Sequence, residues 1–183
     1  VKNKVSIFCL VFVLLSVTIV FAVDHTTDDH YTLLPISWKY EGVDATLHVS
    51  YFYQKNGSYN FGYRVSQAAD AWNDYTDSPF DMHKASSRDD ADLYIDSDDY
   101  GNTSWLGICY WIKTHRDIKI NDYKFKEDNY SYSQFEEVIA HEMGHAHGLS
   151  DISSCDDELM RGKGLKGSSS PYKGDIAGIN NKY

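Results

Sequence analysis

The chain has 183 residues, 42% hydrophobic and 24% charged, which is the size of one ordinary domain and long enough to bury a single core. Its 17 basic and 27 acidic side chains give a net charge of -10, which repels phosphate backbones and anionic lipid surfaces, so no nucleic-acid partner is expected. Aromatics reach 15%, with 15 Tyr against 3 Pro, a mix suited to half-buried strands and not to a disordered linker.

Lys2 and Lys4 precede an apolar run from Val5 to Val23 that closes on Val20-Phe21-Ala22, the pattern of a secretory signal peptide spanning residues 1–22. A retained membrane anchor is the alternative, because the run is nearly long enough to cross hydrocarbon. Cleavage leaves residues 23–183 as a single domain with 15 basic against 27 acidic side chains, a charge of -12. The expected product is secreted, monomeric and without stable membrane contact, and Val1 is compatible with a bacterial alternative start or a fragment. Cys109 and Cys155 remain, either as a disulfide, common for an even pair in an exported chain, or as two small buried hydrophobes.

Along the mature chain, Ile36, Trp38 and Tyr40 alternate as a first strand would, and Leu47, Val49, Tyr51 and Tyr53 alternate again before an Asn56-Gly57 turn. Val65, Ala68, Ala69, Trp72 and Tyr75 recur at helical spacing, which predicts a helix over 61–76 with its aromatics in the core. Short strands are expected at 93–96, 108–112 and 118–121. Two overlapping capping boxes, Ser131 with Gln134 and Ser133 with Glu136, open a second helix whose apolar face is Phe135, Val138, Ile139, Met143 and Ala146. After Ile152 the pattern turns irregular, until Ser170-Pro171 offers a cap and first-turn proline for a short last helix carrying Ile176 and Ile179.

Inside the second helix stands His141-Glu142-Met143-Gly144-His145-Ala146-His147-Gly148-Leu149-Ser150-Asp151. At roughly 100° per residue, His141 and His145 lie about 40° apart and one turn apart in height, so two imidazoles converge on one metal ion. Gly148 permits the positive φ that ends a helix, and the turn it makes can return Asp151 as a third ligand. Three protein ligands leave the fourth position of a tetrahedral Zn2+ to water, whose pKa the metal lowers to about 7. Glu142 lies on the same side as His145, placed to take that proton and to pass it to a leaving amine. His147 points away from the pair and is expected to be exposed or to support the ligands from behind.

The stretch from His141 to Asp151 resembles the zinc signature of the metzincin metalloproteases, and Glu158-Leu159-Met160 looks like their Met-turn. Asp as third ligand, followed by a Cys and then Glu-Leu-Met, is similar to the snapalysin-like branch. The order of elements, residues 118–121 and Asp175 to Ile179 also resemble matrixin-like enzymes. The resemblance implies an α+β zincin domain: a twisted mixed β-sheet, two long helices and a small irregular C-terminal subdomain ending in a helix. It also implies a zinc-dependent endopeptidase acting on protein or peptide substrates, with Met160 beneath the metal. Asp in place of a neutral His lowers the formal charge of metal plus ligands and makes the zinc a weaker Lewis acid, which nearby donors can offset. Arg161-Gly162 stand where some relatives carry a tyrosine, and no cysteine switch is present. Substrate is expected to lie extended along an edge strand near 105–112. An exported zinc-binding or adhesion module without turnover is the rival reading, disfavoured by Glu142.

Weaker signals are the crowd of Asp89, Asp90, Asp92, Asp96, Asp98 and Asp99, either a Ca2+-holding loop or a solvated acidic face. A second zinc site from Asp81, His83 and His115 matches no ligand spacing. Asp175 either ties the final helix to the domain or is an exposed first-turn carboxylate.

Overall fold

The alternation that begins at Leu47 becomes strand β1 (Leu47–Lys55), whose inward residues Leu47, Val49 and Tyr51 are buried. A computed structural model describes residues 30–38, 46–112, 115–153 and 157–183. The signal-peptide segment, Tyr40 and Cys155 lie outside the described residues. After β1 come α1 (Gly62–Asn73), β2 (Phe80–Lys84), β3 (Leu93–Asp98), β4 (Gly107–Trp111), β5 (Arg116–Asn121), α2 (Asp122–Glu127), α3 (Tyr132–Ala146) and α4 (Lys173–Lys182).

The five strands form one mixed sheet in the order β2-β1-β3-β5-β4. β1 is parallel to both β2 and β3, β3 is parallel to β5, and β4 runs antiparallel to β5 with Cys109 opposite Ile118. The architecture is therefore α+β with a mixed sheet. Parallel strands need crossovers, and α1 supplies the one between β1 and β2. α1 turns Val65, Ala68, Ala69 and Trp72 inward, and α3 meets it with Phe135, Ile139 and Met143. Both helices cover the apolar face made by Val49, Ile95, Ile118 and Ile120. The Trp72 indole N–H reaches the Ala140 carbonyl at 2.9 Å, so α1 is fixed against the middle of α3 by a directional bond as well as by packing.

Of the two capping boxes at the start of α3, the first forms: the Gln134 N–H donates to Ser131 Oγ at 3.3 Å and the Ser131 N–H donates to Gln134 Oε1 at 2.9 Å. Arg116 of β5 donates to the Ala146 carbonyl at the other end, a cation on the last turn where the helix dipole favours one.

Several expectations are corrected. Ile36 to Trp38 form no strand. The bridge near there joins Leu33 to Leu149, and this segment runs across the end of α3 instead of entering the sheet. β2 and α2 were not expected. β2 carries only two buried alternating residues, Phe80 and Met82, and α2 is six residues nucleated by the Asn121 side chain on the Tyr123 N–H. Pro171 precedes the last helix instead of opening it. The N-cap is Tyr172, whose N–H donates to the Asp175 carboxylate at 2.8 Å.

Among the described residues no helix is long and apolar enough to cross a membrane.

Candidate metal centre

His141 and His145 are a turn apart on α3 and their rings meet edge to face at 4.8 Å. Each Nδ1 faces a backbone carbonyl, Leu159 O for His141 and Leu149 O for His145, both at 2.9 Å. A carbonyl can only accept, so each Nδ1 carries the proton and each Nε2 is left with its lone pair toward the cleft. Asp151 Oδ1 lies 3.1 Å from His141 Nε2 and 3.5 Å from His145 Nε2. Zinc bonds of about 2.0–2.2 Å put tetrahedral ligand atoms about 3.3–3.6 Å apart, so this separation fits one ion held by two imidazoles and a carboxylate. The three ligand atoms all lie within 4.8 Å of one another, and this is the one such group among the described residues.

Asp151 arrives where it does because α3 ends abruptly. Gly148 has φ +95°, and a Cβ there would stand 2.6 Å from the Ile36 carbonyl oxygen. The chain beyond is gripped by the N-terminal segment: Leu34 N–H donates to Gly148 O and Ser150 N–H donates to Thr32 O, both at 2.8 Å. When the two imidazoles carry a second proton, their Nε2–H groups donate to Asp151 and hold its carboxyl far below the usual carboxylate range. Burial alone would lower the His141 pKa. Asp151, Glu142 and the Leu159 carbonyl outweigh it, and the net direction is upward.

Glu142 is buried on the cleft floor, its pKa raised by burial while the two neighbouring imidazoles pull the other way. The backbone N–H of Cys109 on β4 bonds to its carboxylate. β4 comes this close because residue 107 is glycine: a Cβ there would lie 2.7 Å from Val138 Cγ1 and 2.8 Å from Glu142 Cγ. β4 is an edge strand, as expected for the 105–112 stretch. With the Cys109 N–H directed away from β5, the pairing pattern turns the backbone groups of Gly107 and Trp111 the same way, toward the cleft. The cleft encloses about 690 Å³. Apolar Leu106, Tyr130, Val138 and Leu165 are among its lining residues, and residues 161–165 form its lower wall.

Met160 packs against α3 beside the two histidines. Met160 is buried and fills the space left by Gly144, where a Cβ would be 2.2 Å from its sulfur. Its backbone is held by Asp175, which is fully buried: Oδ2 accepts the Leu159 N–H at 2.7 Å and Oδ1 the Met160 N–H at 3.1 Å. Asp175 thus ties the final helix to the peptide whose carbonyl orients His141, and the exposed alternative is excluded. Glu158 completes the arrangement by accepting the Gly174 and Asp175 N–H groups at 2.9 and 3.1 Å. Burial and the neighbouring Asp175 carboxylate push the Glu158 pKa up to about 7.

His147 is not a ligand, and it is not exposed either. It is wholly buried, stacked on Phe80 at 3.9 Å, and its Nδ1 accepts the Trp38 indole N–H at 2.9 Å. Burial, followed by the Arg116 charge, drives its pKa well down, so it is a neutral core residue. Asp81, His83 and His115 do not meet: Asp81 pairs with His48, and His115 pairs with Asp117 across the sheet from β2. The acidic stretch separates into individual tasks. Asp92 accepts the Ser50 N–H and hydroxyl, Asp90 accepts Ser86 and Ser87, and Asp96 accepts the Tyr100 hydroxyl at 2.6 Å. None of these joins a metal-holding group among the described residues. Cys109 is half-buried and its thiol is pushed up to about 12 by burial, which makes it unreactive.

Gly107 and Glu137 shape the site but carry little sequence signal, whereas Asp175 was legible as one of two readings, a tie between the final helix and the domain.

No family model and no curated protein matches the chain. Among solved structures it overlaps a chain titled "GM1 bound form of the ECX AB5 holotoxin" at 17% identity and a TM-score of 0.46. The overlap takes in 61% of this chain and spans about half of that one, 55%. That is too partial to define a common fold.

Proposed function

We propose that this chain is a zinc-dependent endopeptidase of the metzincin type, exported and acting on protein or peptide substrates. The observation that carries the reading is the convergence of His141 Nε2, His145 Nε2 and Asp151 Oδ1 beside the buried carboxylate of Glu142, in a cleft bordered by an open strand edge. When bound, zinc would supply an acidified water and polarise the substrate carbonyl. The protein's own groups do the rest.

β4 receives an extended backbone through the outward groups of Gly107 and Trp111, which places a peptide bond over the three ligands. Glu142, held by the Cys109 N–H, is the proton acceptor for water on the cleft floor and the donor to the departing amine. Its burial keeps its proton affinity above that of a solvated carboxylate, which suits a group that must take and return a proton near neutral pH. The Leu159 and Leu149 carbonyls keep both imidazoles in the tautomer that binds metal.

Purified protein should cleave casein, stop when treated with a chelator and recover with zinc. Glu142→Gln should bind the same amount of zinc and lose at least about 100-fold in turnover. Unchanged cleavage by that variant would overturn the role of Glu142. A wild-type protein that holds zinc yet cleaves nothing in a broad peptide library would favour the binding-module reading.

A further inference from the structure

We propose that Glu137 is a positioning residue which sets the side-chain selectivity of the cleft by fastening the loop 161–167. The inference deepens the peptidase reading and rests on it. Glu137 is 2% exposed, one turn of α3 before His141, and points away from the metal toward the lower wall. Its Oε1 accepts from Arg161 Nη2, while its Oε2 accepts the Lys166 N–H at 2.8 Å and the Gly167 N–H. Arg161 also donates to Glu158 O at 2.7 Å and to Gly164 O at 3.1 Å.

Beyond this clamp the loop is held by the Gly162 N–H on Ile152 O, by the exposed Lys166–Asp157 ion pair at 2.9 Å and by Leu165 packing on the core, and Gly164 and Gly167 carry φ of +73° and +77°. Leu165 lies between two fastened points, the Gly164 carbonyl bound by Arg161 and the Lys166 N–H bound by Glu137. It is the apolar loop residue that lines the cleft together with Leu106, Tyr130 and Val138.

A carboxylate suits this position because both of its oxygens accept, and the donors number three. An amide would present N–H groups either to the guanidinium or to the two loop N–H groups, so Glu137→Gln must release one side of the clamp. The pair also neutralises Arg161, so the wall beside Leu165 stays receptive to apolar groups despite the adjacent guanidinium.

The test compares wild type with Glu137→Gln and Glu137→Ala, the Gln variant guarding against loss of fold. Amide exchange at Lys166 and Gly167 is followed in the metal-free proteins. Zinc-loaded proteins are then titrated with two chelating probes that differ only in side chain, leucine hydroxamate and phenylalanine hydroxamate. The expected result is faster exchange at both amides, unchanged zinc stoichiometry, and a change of about tenfold in the ratio of the two dissociation constants. A general loosening would weaken both probes equally and leave the ratio alone, and that outcome overturns the proposal, as does exchange at the wild-type rate. Failure of the peptidase reading itself is recognised separately, because zinc-loaded wild-type protein would then leave casein uncleaved whatever the ratio of the two probes.

Discussion

The sheet with α1 and the region from 147 to 175 below His141 and His145 are stabilised by different physics. Above, the interior is made of side chains such as Ile95, Ile118, Phe61 and Trp72, all buried without reliance on charge, and backbone groups are satisfied by ladders. Below, the described residues form isolated bridges and bends but no strand, so most of their N–H groups have no ladder to join. Three buried carboxylates accept them instead: Glu137 takes Lys166 and Gly167, Glu158 takes Gly174 and Asp175, and Asp175 takes Leu159, Met160 and Tyr172. Buried groups must be paired, and where secondary structure is missing, side-chain acceptors do the pairing. The difference also divides labour. The apolar half fixes His141 and His145 on a rigid helix, and the carboxylate half fixes Asp151, Met160 and the cleft wall.

The largest effect expected from breaking this contrast lies in the apolar half. Ile118→Ala should cost about 2–5 kcal/mol of global stability, read from the denaturant midpoint, while the folded fraction still takes up one zinc.

A smaller and more local loss is expected below. Asp175→Asn leaves buried N–H groups short of an acceptor and should cost about 1–3 kcal/mol. It should also weaken zinc binding by roughly 10–100-fold, because the Leu159 peptide that orients His141 loses its anchor. Zinc affinity equal to wild type would show that residues 158–160 hold themselves without α4.

The smallest effect is a pH dependence confined to the carboxylate half. Glu158 has its pKa raised to about 7, so from the usual carboxylate range up to pH 7 the folded chain holds a proton that the unfolded chain has released. Stability from this group is therefore full below about pH 4, falls as pH rises toward 7, and levels off above. Subtracting the pH profile of Glu158→Gln from that of wild type should leave this falling slope, and a flat difference would remove Glu158 as its source.

Elements whose signal is local were legible in the sequence. α1 and α3 follow from 3.6-residue periodicity and the Ser131–Gln134 box, and β1, β3, β4 and β5 from short alternating runs. β2 was not legible, since its two inward residues sit in five, and Ile36 to Trp38 alternated without a partner strand to receive them. His141, Glu142, His145 and Asp151 could be named as a candidate site because helix geometry and a glycine stop place them together within eleven residues. Gly107, Glu137 and Arg161 could not, because their work depends on atoms 24 to 35 positions away in the chain, and Asp175 was legible only as one of two alternatives. His147 shows the same limit. Nothing in its neighbours says that Phe80 and Trp38 will cover it.

The sequence by itself determined which donors could meet on one helix and where that helix had to stop, because bond geometry over a few residues decides both. Only the tertiary structure decided what lies behind and around those donors. The carbonyls that set the tautomers, the carboxylates that hold the lower loops and the glycine that lets β4 reach Glu142 are brought together by packing between distant segments, which no local rule of the chain specifies.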